Sequence, residues 1–320
     1  MWKNYKNKIA LLLPLLMPLS PTMAMQALDD DNLSATTGQD GLNVGIQLPK
    51  LDIGQVALID NDGISSKIID KDYTQAASLT LAGTSNTPVS ISFLGNNSAS
   101  TINAVIDTDA GAGKPFANIA MSFGTGITGI KISPFALYLA NTNETSGVGK
   151  SKDVFRYSGA SSLSTGVTKF LDVGNESNNF QINFVSGNAP KLNIQLGDVP
   201  QSHMIQFSGA IQSICGTGTG CPIRLISSDT AAKFDLQMNA TNASTGFLLN
   251  NFYAGVESNG VVFGNSGTTS KMNVALNNLT LGNAGATSPD VFNGIANGSM
   301  GSFGAIGASV KDLKVSIRGF

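Results

Sequence analysis

Charge is scarce in this chain: only 12% of its 320 residues are Asp, Glu, Lys or Arg, against about a quarter in an ordinary soluble domain. With a net charge of −2, it lacks the basic footprint that a nucleic-acid partner requires. Histidine occurs once, at position 203, so a Ser-His-Asp triad would have to pass through that single residue. Its neighbour Ser202 would point to the opposite face of a strand, and no G-x-S-x-G elbow accompanies the pair. Glutamate stands only at Glu144, Glu176 and Glu257, in loop-like contexts, and nothing there suggests the paired carboxylates of glycoside hydrolysis. Glycine-rich runs such as 124–126 lack the lysine and helix of a phosphate loop. No catalytic constellation emerges, and the expectation is a non-enzyme with no cofactor.

Aromatics make up 7% of the chain, with Trp2 the single tryptophan and five tyrosines. Outer-membrane barrels carry aromatic girdles, and their closing strand alternates apolar residues back from a terminal Phe. Here Leu313, Val315 and Ile317 have one parity and Phe320 the other, which weighs against that class. Long hydrophobic runs are missing after residue 24, so no helical anchor is expected.

Residues 1–24 read as a secretory signal. Lys3, Lys6 and Lys8 form a positive segment, and Ile9 to Leu19 an apolar one. Its length, about 11 residues, falls well short of the roughly 20 a membrane-crossing helix needs. Thr22-Met23-Ala24 supplies small residues for cleavage after Ala24, with Ala27 as an alternative site. No cysteine stands beside the cleavage site for lipid attachment. Export through the Sec pathway follows, with the periplasm, the outer-membrane surface or a pilus as destination.

Residues 25–41 form an acidic segment. Met25 and Leu28 are one helical turn apart, and Asp29, Asp30 and Asp31 stand where a short helix would begin, at the positive end of its dipole. Gly38 suits a helix C-cap, and Asp40-Gly41 is a turn signal. One reading makes this an ordered cap on a β-domain. The other makes it a segment read by a partner or assembly factor through Leu28, Asp29, Asp30, Leu33, Gly38, Asp40 and Gly41.

From Leu42 onward, short alternating runs recur between clusters of Gly, Asn, Asp, Ser or Pro. Examples are Val89-Ile91-Phe93, Ile102-Ala104-Ile106, Ile119-Met121-Phe123, Phe135-Leu137-Leu139 and Phe180-Ile182-Phe184. A period of two marks half-buried strands, and the regular spacing predicts an all-β body over 42–320. The expected architecture is an elongated, mostly antiparallel β-sandwich or a solenoid-like sheet body, with the short N-terminal helical segment at one end. Residues 141–164, rich in Asn, Ser, Thr and Gly, mark the one candidate subdivision. Lys191–Leu196, Lys233–Met238, Lys271–Leu276 and Asp312–Ile317 share a strand pattern at intervals of roughly 40 residues, in the range of repeated β-units.

Two cysteines, Cys215 and Cys221, enclose Gly216–Gly220. In an oxidising compartment they read as a disulfide across a short loop, worth roughly 2 kcal/mol by loop closure. A metal site would need more ligands, and His203 is 12 residues away from Cys215. Asp60-Asn61-Asp62-Gly63 resembles part of a calcium loop, but no Glu closes it at the required distance; an ordinary turn accounts for it.

The run ALDDDNLSATTGQDGL after a signal, followed by Val56–Gly63 (VALIDNDG), resembles the start of the FilA-like pilus-system proteins of Gram-negative bacteria such as Acinetobacter. That resemblance covers about the first 65 residues. It implies an exported, surface-associated protein of a pilus or fimbrial system, structural, adhesive or accessory, whose partners are other pilus-system or cell-envelope proteins. The alternative is a periplasmic or surface binding module with an apolar groove for lipid or glycan.

Overall fold

The computed structural model describes residues 41–64, 73–95, 101–142, 152–156, 162–228, 230–258, 260–283, 291–292, 295–296 and 298–319. The chain clusters into two units, 1–42 and 43–320. The acidic segment up to Asp40, with its expected helix, lies outside the described residues, and the β-structure from Asn43 onward is that of the second unit. Among the described residues every element is a strand, and all named strand pairings are antiparallel.

The strands string together into long passes, each running from one sheet into another. The first pass holds β1 (Leu42–Ile46), β2 (Lys50–Ile53) and β3 (Gln55–Asp60). The second returns through β4 (Ala77–Gly83), β5 (Val89–Gly95) and β6 (Ile102–Asp109). The third is β7 (Phe116–Phe123), β8 (Ile127–Ile132) and β9 (Phe135–Asn141), and the fourth is β10 (Val167–Val173), β11 (Phe180–Phe184) and β12 (Lys191–Gly197). The fifth holds β13 (Ile205–Ser208), β14 (Ala210–Ile214) and β15 (Cys221–Ser227). The sixth has β16 (Thr230–Ala240), β17 (Phe247–Leu248) and β18 (Phe252–Glu257). The seventh is β19 (Gly260–Asn265) and β20 (Met272–Asn283). After a small hairpin of β21 (Val291–Phe292) and β22 (Ile295–Ala296), the last pass is β23 (Gly298–Ala308) and β24 (Lys314–Ile317).

Each pass contributes one strand to an eight-stranded sheet, ordered β1-β6-β7-β12-β13-β18-β19-β24, and the remainder to a 14-stranded sheet. Consecutive passes therefore lie side by side in both sheets. This is an up-and-down meander, in which each pass is the antiparallel neighbour of the next. The four look-alike segments at 191, 233, 271 and 312 fall in β12, β16, β20 and β24, two in each sheet. They share the grammar of a half-buried strand and do not mark equivalent positions of a repeated unit.

Within the larger sheet the first five passes are each broken once, near the middle, and the residues at the breaks explain why. They are Gly54, the Thr84–Pro88 loop, Ser133-Pro134, Gly174–Asn179 and the Gly216–Gly220 loop. Proline has no N–H for the ladder, and Gly, Asn and Ser favour turns. Asn175 shows how: its Oδ1 accepts the backbone N–H groups of Ser177 and Asn178 at 3.0 and 2.7 Å. By contrast β16 has no Gly or Pro and runs unbroken for 11 residues.

The joint between sheets is tightest in the fifth pass, where Gly209 alone separates β13 from β14. Its φ of +85° is one that residues with a Cβ rarely adopt, and a Cβ there would sit 2.3 Å from the Ala189 carbonyl oxygen.

A compact core forms on one side of the larger sheet. Ala82, Ala136, Tyr138, Ala140 and Val167 supply its floor, and Val154 and Phe155 cover it with Leu163 packed alongside. Residues 152–156, inside the stretch read as a candidate boundary, thus serve as a lid on the sheet. Burying Val154 and Phe155 contributes about 1.5–3 kcal/mol each. The Phe155 ring meets Tyr138 edge-on at 6.0 Å, and the Tyr138 hydroxyl donates to the Gly83 carbonyl at 2.8 Å.

Candidate binding surfaces

Hydrogen-bond register places side chains in rows across the passes, and three rows are apolar from end to end. In the smaller sheet one row reads Ile106, Ile119, Ile194, Ile205, Ala254, Phe263 and Val315. In the part of the larger sheet nearest to it, another reads Phe93, Ile130, Ile182, Ile214, Met238, Val274 and Ala305. In the far part, beyond the breaks, Val56, Leu81, Leu137, Leu171, Leu225, Ala232 and Leu281 align. Unbroken β16 ties the last two together, since Ala232, Phe234, Leu236 and Met238 must share one face of a single strand. Phe123, on the apolar parity of β7, contacts Phe93 at 6.2 Å and Phe184 at 4.8 Å. The apolar faces of the two sheets meet there.

The opposite faces carry the polar side chains. Asn193 Nδ2 donates to Asn118 Oδ1 and to Gln201 Oε1, both at 2.8 Å, and Gln195 Nε2 donates to the same Asn118 oxygen at 3.1 Å. In the larger sheet, Gln181 donates to Asn183, which donates to Ser213 Oγ at 2.9 Å. Amides laddered in this way bind neighbouring strands without repulsion, which accounts for a chain that uses so few charges. Three of the charges on this side meet at Asp172. Asp172 accepts Arg224 Nε at 2.9 Å and a second guanidinium nitrogen, and the Lys169 ammonium lies 3.0 Å from its other oxygen. Burial, and then the Asp172 carboxylate, push the Tyr138 phenol well above its ordinary pKa.

The smaller sheet's apolar face holds a groove of about 240 Å³, walled by Ile102, Met121, Phe123, Leu192 and Phe207. The groove is smaller than the usual drug-sized site of about 300–1,000 Å³.

The order of passes also leaves two outer borders. β1, β2 and β3 form one, and β23 with β24 the other; among the described residues each of these strands has a strand neighbour on one side. A border strand presents backbone groups that another chain can pair with.

Of the residues singled out from sequence, Cys215 and Cys221 form the expected disulfide, with Cα atoms 5.2 Å apart. Leu28, Asp29, Asp30, Leu33, Gly38 and Asp40 lie outside the described residues, and Gly41 directly precedes β1. Asp60 Oδ1 accepts the backbone N–H groups of Asp62 and Gly63, each at 3.2 Å. Those bonds, the Asp62 N–H first, hold its carboxyl below the usual range, so the loop closes on itself as an Asx turn. Among the described residues no cluster of three or more His, Cys, Asp or Glu is placed to hold a metal ion. His203 stacks on Tyr253, ring centroids 3.7 Å apart. The row structure was the feature that sequence reading missed; the alternation signalled each strand, but pairing alone reveals which residues align.

Residues 3–110 match a family of unknown function, DUF6160. The matched stretch ends just after β6, and so includes the first two passes and everything before them. No curated protein and no solved structure matches the chain. No helix among the described residues is long and apolar enough to cross a membrane.

Proposed function

We propose that this is an exported, non-enzymatic protein of a pilus or fimbrial system, acting as a structural, adhesive or accessory component that joins other envelope proteins through its sheet borders. The observation that carries this reading is the pair of borders. Either border can accept an added strand running antiparallel to it, the sense the sheet already uses. β23 suits such addition, with an uncharged sequence and with Met300, Phe303 and Ile306 exposed. The resemblance of the N-terminal segment supplies the pilus context, and the signal-like leader the route of export. Residues 25–41 then act as a recognition segment ahead of the first border. For the architecture we take the sandwich sense over the solenoid, because neighbouring passes run antiparallel whereas coils of a parallel β-helix do not.

The test is to replace Phe303 and Ile306 by lysine, which guards a border against pairing, and to follow the protein in producing cells. Loss from the sheared pilus fraction, with the fold retained, is the expected result. Recovery of both forms as free periplasmic protein would sink the reading. A second reading, a module binding an acyl chain, is favoured by the groove at Met121, Leu192 and Phe207. Extraction of the purified protein should then release lipid, and Leu192→Glu should abolish it.

A further inference from the structure

The far part of the larger sheet is inside out. In a water-soluble sheet the leucines face the core and the Ser and Thr side chains face solvent. Here Leu58 is 72% exposed and Leu139 51%, whereas Thr80 and Tyr138, on the other face of β4 and β9, are 0% exposed. The ionic side chains of these strands follow the same inversion. Lys169, Asp172, Arg224, Lys233 and Asp235 have the parity of the covered face, by their pairing with Tyr138, Ala136 and one another or with Pro222. On the leucine face the only charge among the described residues is Asp60, at the end of β3 where the chain turns. It belongs to a polar rim with Asn141, Ser227 and Thr230, which closes off the leucine rows at the turn end.

We infer that this leucine face lies against the hydrocarbon of a lipid membrane. Hydrocarbon can satisfy no charge, and inside its rim this face presents none. A rim of small polar groups beside two rows of leucine is the order in which headgroups follow acyl chains. The strands that carry the leucine rows are short, six residues in β3 and seven each in β4, β9, β10 and β15. A bilayer-crossing strand uses about 9–11 residues, so the face lies on the membrane and does not span it. Polar and charged groups on the far side, with leucine outward, is the distribution of a lipid-facing sheet. The leucine face is distinct from the groove and from β23; it shares only β3 with a border, and it stands or falls apart from the pilus reading.

The test uses full-length protein carrying Trp2→Phe and one new tryptophan, Leu139→Trp on the leucine face or Asp107→Trp on the polar face of the smaller sheet. Each is mixed with vesicles of phosphatidylethanolamine and phosphatidylglycerol that carry bromine along the acyl chains. The expected result is flotation with the vesicles and loss of emission from Leu139→Trp, with Asp107→Trp left bright. In a second variant, Leu58→Lys with Leu79→Lys, flotation is lost while the far-UV spectrum and the disulfide are retained. Failure to float, or equal quenching at both reporters, overturns the inference. So does shielding of Leu139→Trp that depends on protein concentration in the absence of lipid, which would assign the face to a second copy of this chain.

Discussion

The Cys215–Cys221 loop admits a sharp prediction, because the register on either side of it can be read residue by residue. Ile214 faces Met238 and Cys221 faces Leu236. Along β16 that is an advance of two residues; along the facing strand it is an advance of seven, and the five in excess are Gly216–Gly220. β14 and β15 are thus one strand from which five residues have been pushed out, and the disulfide fastens the base of the excursion. The 5.2 Å between its Cα atoms is not far above the 3.8 Å or so between consecutive residues. Replacing both cysteines by alanine frees the loop and should cost about 2 kcal/mol by the chain-entropy relation. At about 2–4 °C per kcal/mol for a domain of some 150–250 residues, the midpoint falls by roughly 4–8 °C.

Deleting Gly216–Gly220 in the same double-alanine background should restore most of that loss. The strand then continues in register, and no loop remains to be closed. What disappears is a set of solvent-side bonds, from Gln237 Nε2 to the Gly216 and Gly218 carbonyls at 3.4 and 3.3 Å and from Asn277 Nδ2 to Thr219 at 2.8 Å. Water can replace them. Urea denaturation of the three proteins, with and without reductant, reads the order directly. A deletion variant less stable than the double-alanine protein would refute the idea of one interrupted strand.

Tyr138→Phe removes the donor to the Gly83 carbonyl and should destabilise by about 1–3 kcal/mol, the cost of a buried acceptor left unmatched. Because the folded-state pKa of Tyr138 is raised, the neutral phenol contributes stability that is complete below about pH 10, the unfolded value, and is lost as the pH climbs above it. Urea midpoints through that range should fall in the native protein and fall less in Tyr138→Phe; parallel slopes would contradict the assignment. Gly209→Ala must adopt φ near +85° and push against the Ala189 carbonyl, so a loss of about 1–3 kcal/mol is expected, read as a lowered urea midpoint. An unchanged midpoint would mean that the joint can shift without strain.

The individual strands were legible in the sequence. Phe135-Leu137-Leu139 and Ile119-Met121-Phe123 alternate because a strand sends successive side chains to opposite faces, and they appear in β9 and β7. The disulfide was legible too, since two cysteines so close in a chain expected to be exported have few other uses. The passes were not. Nothing local in the residues says that Ile102–Asp109 leaves one sheet for another while remaining part of the same extended run, for that depends on which turns close and where Gly and Pro interrupt the ladder.

Which face would be covered was equally invisible in the sequence. Alternation of Leu79 and Leu81 with Ser78 and Thr80 defines two faces and assigns neither to the inside. Sequence alone determined that the chain would be extended, low in charge and amphipathic along each strand, because those properties are carried by side-chain chemistry and a period of two. Tertiary structure decided that Val154 and Phe155, distant in the chain, cover the Ser and Thr side and that Arg224 meets Asp172 there. With that side covered, the leucines were left on the outside.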